Sequence, residues 1–191
     1  PVMILADGML GQMMEPVVFP EKKVVTFDKE SWAANGHKNK RPHNIINSLY
    51  LQATELEQKI KERFERYEEI KAKEARAEEY LVSDADIVVV AYGATSRIAR
   101  SAINSARAKG IKAGLIRPQT LWPYPSAVIA KAAQTAKAFL TVEMSMGQMV
   151  DDVRLAVNGK VPVSFFGRTG GVIFIPAEVL AEIEKLAGGD K

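Results

Sequence analysis

Gly114-Leu-Ile-Arg-Pro-Gln-Thr-Leu-Trp-Pro-Tyr-Pro125 and Phe139-Leu-Thr-Val-Glu-Met-Ser-Met-Gly-Gln148 are the two stretches that decide the fold class of this chain. Each starts as a short apolar strand and continues into a polar turn with Gly or Pro, which leads to a helical pattern. In a parallel α/β sheet such turns lie at the carboxyl ends of the strands, where ligands usually bind. The sequence therefore predicts strand–helix units with a functional edge.

The same alternation extends over residues 81–191. Apolar runs predict strands at 87–91, 112–116, 138–143 and 161–166, and three- and four-residue spacing predicts helices at 98–109, 126–135, 148–158 and 176–186. Strands that alternate with helices indicate right-handed crossovers and a mostly parallel sheet with flanking helices. We expect Gly110 to end the first of these helices, and Thr95 or Ser96, and Ser126, to cap helix starts.

The first 80 residues follow a different pattern. Val2-Met-Ile-Leu-Ala6 is typical of a buried strand, which needs neighbours on both sides, so we expect the chain to be the carboxyl-terminal part of a longer protein. An exposed edge strand is the alternative. Residues 1–33 are then the end of a preceding domain, and residues 34–80 are a polar loop and a charged helix from 53 to about 79. One face of this helix carries a narrow apolar stripe made of Leu56, Ile60, Phe64, Tyr67 and Ile70. Such a stripe suits either a docking helix or a connector that lies across its own domains.

Composition excludes several classes of function. The 191 residues are 47% hydrophobic and 26% charged, with interleaved charges and a net charge of +3, which argues against a nucleic-acid surface. The chain has no Cys, so it contains no disulfide, thiolate nucleophile, Cys-ligated zinc or iron–sulfur ligand. With two His residues, a metal site is not expected. No apolar run reaches the roughly 18 residues of a membrane span and no signal-peptide pattern is present, so we expect a cytoplasmic protein without membrane contact.

Two turns carry candidate binding residues. In Tyr92-Gly-Ala-Thr-Ser-Arg97, free N–H groups together with Arg97 could hold an anion, but the phosphate-loop ending and the GxGxxG spacing are absent. A plain capped turn is therefore favoured. The loop from Arg117 to Pro125 contains three prolines, Trp122 and Tyr124, and suits either a subunit interface or packing on its own domain.

Glu143 ends a buried strand, where a carboxylate needs a partner. Arg117, at the end of the strand that precedes it in the chain, is the expected partner, either in a structural ion pair or in catalysis. Gln148 ends the same turn, and Asp7-Gly8 could border a ligand pocket. We find no nucleophile–base triad and no pair of carboxylates at catalytic spacing, so we assign no catalytic residue and no metal ligand.

Five blocks, in order along the chain, resemble the alpha subunits of the 2-oxoacid:ferredoxin oxidoreductases. They are Ala6-Asp-Gly-Met-Leu-Gly-Gln-Met13, Asn44-Ile-Ile-Asn-Ser-Leu-Tyr-Leu51, Tyr92–Arg97, Arg117–Pro123 and Glu143–Gln148. The resemblance covers essentially the whole chain and is strongest to the 2-oxoisovalerate (3-methyl-2-oxobutanoate) type. It implies the end of a pyrimidine-binding domain of the thiamine-diphosphate type over residues 1–33, a linker over 34–80 and a transketolase C-terminal-like domain over 81–191.

The resemblance also implies an activity. Such enzymes oxidatively decarboxylate a 2-oxoacid to an acyl-CoA with thiamine diphosphate and reduce ferredoxin. It places the diphosphate with its Mg on a beta subunit and the iron–sulfur clusters on other subunits, with gamma and ferredoxin-like delta subunits as further partners. No cofactor is then expected on this chain alone, which would be inactive by itself. The activating glutamate would lie in the first domain and matches no residue here.

The substrate and the functional class stay open at this point. The 2-oxoglutarate type usually carries an acidic, His-containing segment where this chain has Trp32–Lys38 followed by the basic Asn39-Lys-Arg-Pro42, which favours 2-oxoisovalerate. A 2-oxoglutarate enzyme is the alternative. The other readings are a non-catalytic assembly or regulatory module and the C-terminal domain of a transketolase or dehydrogenase E1 component.

Overall fold

Four of the predicted apolar runs form a five-stranded sheet together with one additional strand in the computed structural model, which describes residues 2–6, 8–22 and 24–188. The chain divides into two compact units, residues 1–65 and 66–191, and the sheet belongs to the second. Its strands are β1 (Ala77–Tyr80), β2 (Ile87–Val90), β3 (Ala113–Pro118), β4 (Ala138–Glu143) and β5 (Val163–Gly167).

The strand order is β1-β3-β2-β4-β5. Strands β2 to β5 are parallel, as predicted, and β1 pairs antiparallel with β3 at one edge. Because β3 and β4 lie on opposite sides of β2, the chain changes direction across the sheet between the loops that follow β2 and β4. In parallel α/β sheets, ligands bind at this kind of position.

Helices cover both faces of the sheet. They are α3 (Gly93–Ala108), α4 (Ser126–Ala132), α5 (Met149–Val157) and α6 (Pro176–Gly188). Their bounds lie within three residues of the predicted ones except that α3 begins at Gly93, five residues before its predicted start. Alternate residues of the central strands enter two apolar cores, one under α3 and α6 and one under α4 and α5. Val89 and Val90 point into opposite cores and both are completely buried, as expected for a strand between two helix layers.

The end of α3 confirms the prediction for Gly110. Its φ angle is +83°, its N–H donates to the Arg107 carbonyl at 2.9 Å, and the N–H of Ile111 donates to the Ala106 carbonyl at 3.0 Å. These two bonds define a Schellman motif, in which glycine accepts the left-handed conformation without a Cβ clash. The predicted caps at helix starts are wrong. The N-cap positions are Tyr92 for α3 and Pro125 for α4, and Thr95, Ser96 and Ser126 lie inside the helices.

The charged helix α2 spans Ala53–Glu74 and is shorter than predicted. The Ala- and Glu-rich sequence after it favours a helix, but Ala77–Tyr80 instead pairs with β3, because tertiary hydrogen bonding overrides a weak local preference. None of the helix residues is buried. Leu56, Ile60 and Phe64 keep 39 to 56% of their surface exposed, so the predicted apolar stripe is present and these members of it are exposed.

The first unit contains α1 (Gly8–Gln12) and a loop closed by its own hydrogen bonds. The Asn44 side-chain amide donates to the carbonyls of Glu30 and Ala33 at 2.8 and 3.0 Å. The strand predicted at its start does not form among the described residues, since Val2 to Leu5 are 80 to 94% exposed and have no strand partner. A strand needs neighbours to satisfy its backbone, and the described part of this unit supplies none.

Candidate functional site

Four loops follow the parallel strands at the carboxyl edge of the sheet, and the predicted residues of the second unit lie in or beside three of them. Thr95 and Ser96 are buried in the first turn of α3, and Arg97 is exposed beside them. Trp122 and Tyr124 lie in the loop between β3 and α4, and Glu143 and Gln148 bracket the loop between β4 and α5. Asp7 lies outside the described residues, and Gly8 is the exposed first residue of α1 in the other unit.

Glu143 has a different partner from the expected one. Its side chain is 2% exposed, and its two oxygens accept hydrogen bonds from the backbone N–H groups of Met149 and Val150 at 2.9 Å each. The N–H of Gln148 lies 3.3 Å from both oxygens. The carboxylate therefore caps the amino end of α5, where unpaired N–H groups and the helix dipole favour a negative charge. The predicted Arg117–Glu143 pair is wrong.

The loop between these residues is tied to the same carboxylate. The Ser145 hydroxyl donates to Glu143 Oε2 at 3.3 Å and accepts from the Gly147 N–H at 3.0 Å. On the other side, a Cβ on Gly167 would lie 2.4 Å from the Ser145 carbonyl oxygen, so only glycine fits there. The backbone N–H of Arg168 donates to the Glu143 carbonyl at 3.1 Å. The loop is thus fixed from inside by Glu143 and from the side by β5.

The Glu143 cap determines which ligands can bind at the position where the strand order changes. The amino end of a helix at that position is the usual binding site for a phosphate. Here Glu143 occupies the N–H groups of α5 and adds a negative charge. The geometry therefore disfavours an anionic ligand between the loops after β2 and β4.

The charge of Glu143 acts on two tyrosines and a second acid. The pKa of Tyr124 is raised by burial and then by the charges of Asp152 and Glu143, and its hydroxyl has no hydrogen-bond partner among the described residues. Burial followed by Glu143 also raises the pKa of Tyr92, and burial followed by Asp151 and Glu143 raises that of Asp152. Because the raised pKa values keep both tyrosine hydroxyls protonated, neither tyrosine can act as a general base at neutral pH.

Arg117 instead lies opposite Glu78 in the register of β1 and β3. Its Nη1 donates to Glu78 Oε2 at 2.9 Å, and Arg100 of α3 donates to the other oxygen of the same carboxylate. The guanidinium of Arg100 also lies over the ring of Tyr80, 4.3 Å from its centroid. Sequence reasoning missed Glu78 and Arg100 because it placed residues 77–79 in a helix. The three-residue spacing of Arg97 and Arg100 was the available signal.

We expect the ion pairs of Glu78 with Arg117 and Arg100 to make a pH-dependent contribution to the free energy of unfolding. Hydrogen bonds first from Arg117 and then from Arg100 lower the Glu78 pKa below its ordinary value of 4.5. A lowered folded-state pKa means that the stabilisation is complete above about pH 4.5 and is lost as the pH falls through the lowered value. We expect Glu78→Gln to reduce the free energy of unfolding by less than about 1 kcal/mol at pH 7, because the pair is partly exposed.

Urea unfolding at pH 7 and at about pH 3 checks this prediction. The difference between the wild type and Glu78→Gln should shrink at the lower pH. Glu79→Gln is the matched control, because Glu79 is exposed on the same strand. A difference that grows on acidification would contradict the assignment.

Trp122 packs on its own unit and also remains exposed. Its ring meets Tyr67 of α2 edge-on, with centroids 5.4 Å apart, yet the side chain is 58% exposed. Other apolar side chains of the carboxyl-edge loops are similarly uncovered: Leu121, Met146, Val172, Ile173 and Ile175. The two alternatives for this loop are therefore compatible, since one edge of the ring packs and much of the rest is accessible.

The described residues contain neither a metal-binding cluster nor a membrane-spanning helix. Within 2–6, 8–22 and 24–188, no group of three or more His, Asp or Glu side chains is arranged to hold a metal ion. Over the same ranges, no helix combines the length and the apolar character needed to cross a membrane.

Comparisons with known proteins match these features. Residues 85–179 match the family described as pyruvate:ferredoxin oxidoreductase core domain II. The chain is 44% identical over 188 residues to the ketoisovalerate oxidoreductase subunit VorB of Methanothermobacter marburgensis. The aligned residues make up 98% of this chain and 53% of that subunit. The chain thus spans about half the length of this curated relative.

Two solved structures show the same fold. A 2-oxoglutarate:ferredoxin oxidoreductase from Magnetococcus marinus, with 2-oxoglutarate, coenzyme A and succinyl-CoA bound, superimposes with a TM-score of 0.63 at 22% identity, over 71% of this chain and 24% of that one. A split-gene transketolase, described as an inactive β4 tetramer, superimposes with a TM-score of 0.50 at 21% identity. The superposition covers 58% of this chain and 40% of the transketolase chain. The mostly parallel sheet is therefore transketolase C-terminal-like, and the chain belongs to the family of 2-oxoacid:ferredoxin oxidoreductase subunits that carry the core domain II.

Proposed function

We propose that this chain is the carboxyl-terminal portion of the alpha subunit of a 2-oxoacid:ferredoxin oxidoreductase that converts 2-oxoisovalerate to the acyl-CoA. The observation that carries the proposal is 44% identity over 188 residues to a ketoisovalerate oxidoreductase subunit. Residues 1–33 would end the pyrimidine-binding domain, 34–80 would form the linker and 81–191 the transketolase C-terminal-like domain. A cytoplasmic location is part of this proposal.

The cofactors of such an enzyme do not fit the residues present. Iron–sulfur clusters need thiolate ligands, and the sequence has no Cys. A magnesium diphosphate needs a set of oxygen ligands, and no acidic cluster of that kind occurs in the described part of the chain. Asp7 and Gly8 are proposed only as a border of the pyrimidine pocket. No catalytic step that uses thiamine diphosphate or a cluster is therefore assigned to residues of this chain.

The proposed role of residues 81–191 is to position other parts of the complex. The partners would be a beta subunit that binds thiamine diphosphate, gamma and ferredoxin-like delta subunits, and ferredoxin as the electron acceptor. The support is the set of exposed apolar side chains on the carboxyl-edge loops, where Trp122 and Gln148 are exposed and Tyr124 is half-buried, together with the exposed apolar side chains of α2. Rigid aromatic side chains give contact area at low entropy cost, as is typical of interfaces.

An experiment that omits the alpha subunit distinguishes a catalytic role from an assembly or regulatory role. The full-length alpha subunit is combined with the beta, gamma and delta subunits, and the reduction of a viologen dye by 2-oxoisovalerate is followed. We expect reduction to require both the alpha subunit and CoA. Undiminished, CoA-dependent reduction by complexes that lack the alpha subunit would favour an assembly or regulatory role and refute the proposal.

Trp122→Ala is expected to weaken subunit association by roughly tenfold or more while lowering the free energy of unfolding by less than about 1.5 kcal/mol. The reason is that the Trp122 ring makes one edge contact with Tyr67 and leaves more than half its surface for a partner. Sedimentation velocity of the assembled complex measures the association. Leu155→Ala is the control, because Leu155 is 78% exposed on α5. If both variants associate as strongly as the wild type, Trp122 does not lie in the subunit interface.

A further inference from the structure

An arginine-lined cleft lies on the α3 face of the sheet, away from the Glu143 cap. Its volume is about 460 Å³, and it is lined by Glu78, Ser96, Arg97, Arg100, Leu115 and Arg117. The residues come from three elements, since β1 gives Glu78, β3 gives Arg117 and α3 gives the arginines at positions 97 and 100. A cavity of a few hundred Å³ is the size that small ligands occupy.

The charge of this cleft favours an anion. Glu78 accepts one hydrogen bond from Arg100 and one from Arg117, so a single carboxylate is shared by two guanidinium groups. This trio carries one net positive charge, and Arg97 also lines the cleft. Each guanidinium has five N–H donors in a planar fork, and Glu78 engages one from each of its two partners. Further donors on Arg100 and Arg117 are therefore available to a ligand.

The arginines are also held in place before a ligand arrives. Arg100 stacks on Tyr80, whose hydroxyl donates to the Asn104 side chain of α3 at 2.7 Å. Arg117 projects from a strand whose register with β1 is fixed by four residue pairs. Prior ordering reduces the entropy lost on binding. The first turns of the 16-residue helix α3 lie at the same place and add the positive end of its dipole.

We propose that the cleft between β1, β3 and the first two turns of α3 binds a doubly charged oxyanion of the phosphate class. Planar guanidinium forks match the geometry of phosphate oxygens and bind them bidentately. The source is either inorganic phosphate or the phosphate group of a small organic ester. This inference goes beyond the proposed function, because Trp122, Tyr124 and Gln148, the loop residues proposed for subunit contact, do not line the cleft.

Isothermal titration calorimetry of the full chain with inorganic phosphate, at about 0.15 M salt, tests the proposal. We expect a dissociation constant below about 1 mM, weakened roughly tenfold or more in Arg100→Gln and in Arg117→Gln. Arg154→Gln is the control, because Arg154 is an exposed arginine that pairs with Asp151 on α5. Binding weaker than about 1 mM, or an equal loss in Arg154→Gln, would overturn the site.

Two further titrations identify the source of the anion. Glycerol 3-phosphate that binds more tightly than inorganic phosphate would indicate an organic ester, and the reverse would indicate the free ion. A ten-residue poly-glutamate peptide that binds more tightly than both would overturn the proposal in favour of an acidic protein partner. If Arg117→Gln fails to fold in urea titration, Arg100→Gln provides the same test from the surface of a helix.

Discussion

Replacing Glu143 by Ala is expected to lower the free energy of unfolding by about 3 kcal/mol, the largest effect of any single carboxylate among the described residues of the second unit. The change removes the acceptor for the N–H groups of Met149 and Val150, both of which are buried. An unpaired buried donor costs the full loss of its hydration, and a hydrogen bond to a charged group contributes more than a neutral one. Urea unfolding of the full chain measures the effect.

The conservative variant separates charge from hydrogen bonding. Glu143→Gln keeps one acceptor oxygen but turns an NH₂ group towards N–H donors, so we expect a loss of about half that of Glu143→Ala. Amide hydrogen exchange at Met149 and Val150 should become faster in both variants. Glu79→Gln, on an exposed site, is the control. Unchanged exchange at the start of α5 would show that Glu143 is not its cap.

Gly114→Ala is expected to destabilise the chain by about 2 to 4 kcal/mol, because the new methyl group has no room. A Cβ at position 114 would lie 2.5 Å from the Leu81 carbonyl oxygen and 3.0 Å from the Val82 Cα. That carbonyl cannot easily move, since Arg107 Nη2 donates to it at 2.7 Å while Nε donates to the Ala113 carbonyl at 2.7 Å. The guanidinium also binds both oxygens of Asp84 at 2.8 Å.

Two other glycines calibrate this prediction. Gly110→Ala meets no atom within 4 Å but has a φ angle of +83°, so we expect only the backbone strain, about 1 kcal/mol. Gly188→Ala meets neither obstacle and should be close to neutral. Urea unfolding that ranks Gly110→Ala above Gly114→Ala in cost would contradict the packing described for Leu81.

The sequence patterns that predicted the fold correctly are those with local causes. A continuous apolar run bounded by turn residues gives β4 over Ala138–Glu143, with the predicted limits, and the glycine after α3 gives a Schellman motif. Both follow from the preferences of a few neighbouring residues. The predicted family and the transketolase C-terminal-like fold are likewise confirmed.

Two of the patterns that failed depended on which partner a segment or side chain meets in the folded chain. Ala77–Tyr80 becomes a strand because β3 is beside it, 35 or more residues away in the register pairs. Glu143 needed a buried partner, as predicted, but helix N–H groups served in place of Arg117. Charge alone cannot separate these two solutions, because both satisfy a buried carboxylate. The assignments of Trp122, Tyr124, Gln148 and Asp7 to interfaces or pockets stay predictions.

We propose above that this chain belongs to an enzyme that favours a branched-chain 2-oxoacid, and the substrate preference of the complex tests this. The most direct measurement is kcat/KM of the complex, assembled with the full-length subunit, for CoA-dependent dye reduction with 2-oxoisovalerate, 2-oxoglutarate and pyruvate. We predict that 2-oxoisovalerate exceeds each of the others by roughly tenfold or more, the discrimination that a side-chain pocket provides. A higher kcat/KM for 2-oxoglutarate, or no CoA-dependent reduction with any of the three 2-oxoacids, would refute the proposed function.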